Sequence, residues 1–137
     1  MRDRRALEAL LQAAEDEDVE VQLSVVEALV HFLDDEAVVK RVMAFVDYGD
    51  VAVRMKAIEI LGEGKVVAAV DRLIAAIGNV FLRSYAEEAL RRIGDRRGYL
   101  AVVRRKKREA LFPKKAKMER AKLDKLRDKR NKNKKGR

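Results

Sequence analysis

Acidic side chains at repeated spacing are the first candidates for chemistry in this chain. Glu27, Glu59 and Glu88 recur at one phase of the sequence, and carboxylates can share general acid and base work when two of them converge on one point. One glutamate on each of three helices, facing solvent, does not make such a pair. The clusters Glu15-Asp16-Glu17-Asp18 and Asp34-Asp35-Glu36 offer oxygen to a hard cation. They lack the ligand spacing and central glycine of a calcium loop, so they read as solvated turns and caps. The single histidine, His31, stands near a helix end and reads as a satisfied structural side chain. With no cysteine there is neither a thiolate metal site nor a disulfide framework, which suits a reducing cytoplasm. No catalytic residue, cofactor, metal or small-molecule substrate is assigned, and an independent enzyme ranks last among the functions considered.

The stronger chemical signal is cationic. Residues 104–137 hold 18 Lys and Arg against 4 Asp and Glu, a net charge of +14, whereas residues 1–103 hold 14 against 19, a net charge of −5. The basic run opens with Arg104, Arg105, Lys106, Lys107 and Arg108. After the only proline, Pro113, it continues through Lys114, Lys115, Lys117, Arg120, Lys122, Lys125, Arg127, Lys129 and Arg130, and on to Arg137. A cationic line of this density suits a line of phosphates, where each contact releases condensed counterions. Phe112 is the only aromatic residue after Tyr99, so bases have little to stack on, and sequence-specific reading of single strands is not expected. Backbone-directed binding of nucleic acid fits better, with structured RNA, including ribosomal RNA, favoured over DNA. The apolar positions of this segment, Met118, Ala121, Leu123 and Leu126, make a broken stripe. The segment is therefore expected to be helical or disordered, and to be ordered by its partner. It lacks the bulky apolar face of a membrane-surface helix, so no membrane partner is expected.

Such an arm needs a body to carry it, and the body is repetitive. Asp18-Val-Glu-Val-Gln22, Asp50-Val-Ala-Val-Arg54 and Asn79-Val-Phe-Leu-Arg83 start 32 and then 29 residues apart. Each opens an apolar stripe at i, i+4, i+7 and i+8: Val21, Val25, Ala28, Leu29; then Val53, Ala57, Ile60, Leu61; then Leu82, Ala86, Ala89, Leu90. That period marks one buried face of an α-helix. A second series at i, i+3, i+4 and i+7 lies between them: Val39, Val42, Met43, Val46 and Val70, Leu73, Ile74, Ile77. Leu7, Leu10, Leu11, Ala14 precedes them, and Tyr99, Val102, Val103 ends the series where Lys106 replaces an apolar residue. Asp18, Asp50 and Asn79 are placed to cap helix N-termini. Gly49 and Gly78 turn the chain just before two of these caps, and Gly62, Gly64 and Gly94 break the loops inside the later pairs. The reading is an all-α array of a lone N-terminal helix and three helix pairs, seven helices in all, over residues 1–103, with a basic arm over 104–137.

The arrangement of Asp50, Val53-Arg54, Ala57 and Leu61-Gly62 resembles the HEAT-like repeat of the bilin-lyase type. The third copy keeps Leu82-Arg83, Ala86 and Leu90 with Asn79 for the Asp, and the first has Gln22 in place of the Arg. The resemblance covers roughly residues 1–103. It implies a short α-solenoid that presents an extended surface to a protein or nucleic acid, with Arg54 and Arg83 as repeat positions of the fold. The di-iron hydroxylase branch of the wider group needs repeated His-Glu pairs, but here His31 is followed by Phe32. Nothing beyond the repeat itself points to a pigment role.

Phe81 and Tyr85 stand where the other copies have Glu20 and Ser24 or Ala52 and Lys56. Four apart on an outward helix face, they are candidates for contact with a protein. The expected function is therefore a non-enzymatic, cytoplasmic scaffold. Its solenoid docks on a protein or large assembly, with the ribosome the most economical choice, while its arm grips nucleic-acid phosphate. The alternative is a protein–protein adaptor, or an accessory subunit of an enzyme complex, whose tail is incidental. The start of the chain leads into an amphipathic helix rather than a leader pattern. The longest uncharged stretch, residues 73–82, has ten residues, far short of a membrane span. A charged fraction of 40% without Cys, Trp or Thr leans toward a heat-adapted source.

Overall fold

Short acidic side chains start four of the eight α-helices among the described residues. Asp18, Asp35, Asp50 and Asp95 each hold an extended backbone, and each accepts a hydrogen bond on its side chain from the N–H two residues on, at 2.8 Å. Orphan N–H groups of the first turn are satisfied in this way. The opposite ends are closed from the next repeat. Arg54 Nε donates to the Val46 carbonyl at 2.8 Å, Arg83 Nε to the Ile77 carbonyl at 2.9 Å, and Gln22 Nε2 to the Asp16 carbonyl at 2.8 Å. The repeated Arg thus ties each motif helix to the segment before it, and Gln22 performs the same task in the first copy. Arg41 adds a bond to the Ala14 carbonyl at 3.0 Å while its guanidinium lies over the Phe45 ring, 5.2 Å from its centre.

The computed structural model describes residues 4–135; residues 1–3 of the expected body and residues 136 and 137 of the expected arm, including Arg137, lie outside them. The helices are α1 (Arg4–Ala13), α2 (Val19–Leu29), α3 (Glu36–Asp47), α4 (Val51–Glu63), α5 (Val70–Ala76), α6 (Arg83–Ile93), α7 (Arg96–Leu111) and α8 (Pro113–Lys135). Short 3-10 turns at Val30–Phe32 and Val67–Ala69 complete the order. No strand occurs among the described residues. The chain is a short all-α solenoid. The motif helices α2, α4 and α6 stack on one another, and α3, α5 and α7 follow as the second layer. Each motif helix also packs on the helix before it: α1 with α2, α3 with α4, α5 with α6. The expected lone N-terminal helix is therefore the partner of α2, and α8 follows α7 in the same sense.

The core runs continuously along the array. Leu29, Ile58, Leu61, Leu73 and Leu82 are fully buried, and no polar or charged residue is buried among the described residues. Contrary to expectation, Gly62 does not break a loop; it lies inside α4, where a Cβ would come 2.7 Å from the Ala89 Cα of α6. Its missing side chain lets α4 and α6 approach. Gly49 and Gly94 do turn the chain, with φ of +100° and +77°.

Two further expectations are corrected. Helix α6 starts at Arg83, not directly after Asn79. Asn79 instead accepts from the Phe81 N–H at 2.9 Å, and the Leu82 N–H reaches the Asn79 carbonyl in a single tight turn. Phe81 therefore lies in that turn and does not share a helix face with Tyr85. On α7 the inward positions are Gly98, Ala101, Val102, Arg105 and Glu109, whereas Tyr99 is 68% exposed. Gly98 sits against Leu90, where a Cβ would come within 2.8 Å of its side chain; that contact sets the phase of the helix.

Candidate nucleic-acid interface

The inward stripe of α7 does not stop at Lys106; it turns polar and continues. Where α4 has fully buried Ile58, the equivalent residue of α6 is Glu87, which calls for a cation opposite it. Arg105 supplies that cation: its Nε lies 2.5 Å from Glu87 Oε1, and its Nη1 donates to Glu109 Oε2 at 2.5 Å. Glu109 is also paired with Arg120 of α8. A second link joins the repeat arginine to the arm, with Arg83 Nη1 donating to Glu119 Oε2 at 2.7 Å. The Arg83 side chain thus bonds the end of α5 through Nε and α8 through Nη1. Arg105, foremost, and Arg120 hold the Glu109 carboxyl below its ordinary range, and Arg83 does the same to Glu119.

The segment therefore docks through charges of both signs, Arg105 on Glu87 and Glu119 on Arg83, with Glu109 bridging Arg105 and Arg120. Glu109 and Glu119 face arginines, while Ala116, Leu123 and Leu126 are half-buried between them and beyond. Leu123 and Ala116 line a groove of about 260 Å³ with Val80, Arg83, Ser84, Glu87 and Arg105. From residue 127 to residue 134 every position of α8 is exposed, so the helix outruns the body. At 23 residues it is about 34 Å long. The charge step at 103/104 falls inside α7.

The sequence-predicted cations divide into two groups. Arg105 is tied into the network and largely shielded, and Arg120 is exposed but paired with Glu109. Arg104, Lys106, Lys107 and Arg108 are exposed on α7, and Lys114, Lys115, Lys117, Lys122, Lys125, Arg127, Lys129 and Arg130 are exposed on α8. The stripe of Ala116 and Glu119 was missed in the sequence because one of its members is charged; the spacing 116, 119, 123, 126 was the available signal.

The other candidates are separated by the fold. Glu27 and Glu59 do not meet as a catalytic pair, since both turn to Lys56, at 3.3 and 3.5 Å. The Glu27 hydrogen bond, foremost, holds that ammonium above its ordinary pKa. Glu88 faces Arg91 at 2.6 Å and Arg92 at 3.1 Å, which hold its carboxyl down to about 2. His31 is exposed on its 3-10 turn rather than packed. Among the described residues, no group of three or more His, Cys, Asp or Glu could hold a metal, and no helix is long and apolar enough to cross a membrane. Tyr85, 40% exposed, lines a groove of about 320 Å³ with Glu59, Ser84, Glu88, Ala89 and Arg92, between α4 and α6. Phe81 is half-buried.

Compared with known families, residues 7–91 match HEAT repeats. No curated protein matches the chain.

Proposed function

This chain belongs to the HEAT-repeat family, whose solenoids serve as interaction scaffolds, and we propose that it is a non-enzymatic one that carries a nucleic-acid-binding arm, residues 104–137. The solenoid of residues 1–103 docks on a protein or a large assembly, with the groove beside Tyr85 as its contact, and the arm holds nucleic-acid phosphate. One observation carries this reading. Helix α8 docks through Glu119 on Arg83 and through Arg120 on Glu109 and leaves its lysines exposed, so those lysines are available to another partner.

Lysines dominate the exposed set. They act as point charges rather than as the planar forks that read guanine edges. Binding of this kind is blind to sequence and guided by phosphate geometry, which is how double-helical RNA is recognised. Structured RNA is therefore the favoured form, a ribosomal one included, and a cytoplasmic setting agrees with the absence of cysteine. The direct test is equilibrium binding of the full-length chain to a short RNA duplex at about 50 mM salt, an ionic strength at which phosphate contacts are strong. Saturable binding is expected, and failure to bind either an RNA or a DNA duplex would overturn the reading.

A further inference from the structure

Helix α8 sorts its charge by face. An α-helix turns about 100° per residue, so positions seven apart nearly line up. Lys115, Lys122 and Lys129 recur at seven, and Lys125 and Lys132 fall three beyond the last two of them. Together with Met118 they fill the positions i, i+3, i+7, i+10, i+14 and i+17, and all six are exposed. This stripe contains no acid. Asp124 and Asp128 lie on the adjoining face with Lys117 and Asn131, about a third of a turn round the helix from the middle of the stripe, and Glu119 is held by Arg83 on the docked face.

We propose that Lys115, Lys122, Lys125, Lys129 and Lys132 are the phosphate-contacting stripe, and that α8 lies along one strand of a double-helical RNA as a preformed helix. The proposal rests on the reading of the arm given above and specifies its geometry. The stripe spans about 26 Å in a straight line. A straight row of charge on a stiff helix needs a partner whose phosphates also keep a line, and a duplex provides one. A single strand would have to be held by stacking, yet residues 113–135 contain no Phe, Tyr or Trp. The docking of Glu119 on Arg83 and of Arg120 on Glu109 fixes the rotation of α8, so the stripe flanks the docked face, with Lys115 at the edge of the groove shared with Arg83 and Glu119 and the other four lysines exposed beyond it.

The test compares two full-length variants that lose the same charge. One carries Lys115→Gln, Lys122→Gln, Lys125→Gln, Lys129→Gln and Lys132→Gln. The other carries Lys114→Gln, Lys117→Gln, Arg127→Gln, Arg130→Gln and Lys134→Gln. Circular dichroism confirms that both stay helical, and the slope of log affinity against log salt is read on an RNA duplex and on an unstructured strand of equal length. The stripe variant is expected to lose about 4–5 from the duplex slope, close to 0.9 for each phosphate contact, and the other variant about 1 or less. Wild-type protein should prefer the duplex. Equal losses in the two variants, or equal binding of duplex and strand by wild type, would overturn the stripe while leaving the arm reading intact. Absence of wild-type binding to any nucleic acid would overturn both.

Discussion

Raising salt from about 50 to about 200 mM is expected to weaken binding of the chain to an RNA duplex by about 10³–10⁵-fold, the range for six to ten phosphate contacts. Ten Lys and Arg of α8 are exposed apart from Arg120, and four more are exposed on the last half of α7. The helix can therefore supply that number of contacts even when some of its cations face away. The body opposes the effect only weakly, because its −5 charge is spread over a solenoid and much of it is paired. Lys56, Arg72, Arg91 and Arg97 neutralise acids on their own or neighbouring helices. Measured by fluorescence anisotropy of a labelled duplex, a loss of less than about tenfold would mean that few phosphates are met.

Leu61→Ala should remove about 2–5 kcal/mol of stability, the usual cost of deleting a fully buried leucine side chain. Leu61 lies in α4, the helix that touches α2, α3 and α6, and it has no exposed surface. Repeat arrays gain their stability from nearest-neighbour contacts, so a cavity there weakens the stack on both sides. Small domains have only about 5–15 kcal/mol in total. Urea unfolding followed by circular dichroism gives the value. A change below about 1 kcal/mol, less than the loss of a buried leucine costs, would show that α4 is not the keystone of the array.

The body was legible in the sequence to the extent that its interactions were apolar. Leu61, Ala86 and Leu90 stand at helical spacing and are buried as that spacing requires. The Asp caps at 18 and 50 are where the motif puts them. Legibility failed where a half-buried, inward position is charged. Arg105 reads as one more basic residue of the tail, yet it answers Glu87, which replaces the isoleucine of the preceding repeat; a hydropathy pattern cannot register a complementary pair. The same holds for Glu119 and Arg83, 36 residues apart. Tyr99 was misplaced by one position because Gly98 has no side chain to mark it as part of the stripe, although it is the residue that lets α7 settle on Leu90. Phe81 was placed on a helix because the Asn79 turn tightens before α6 begins, and a local turn type is set by hydrogen bonds that spacing does not reveal.

The central claim is that the arm recognises phosphate charge rather than bases or sugar. The most direct measurement compares binding of the full-length chain to a duplex with ordinary linkages and to one of the same sequence in which one strand carries neutral methylphosphonate linkages. Loss of charge from a strand should abolish most of the affinity and flatten its salt dependence. Undiminished binding to the neutralised duplex would contradict the account.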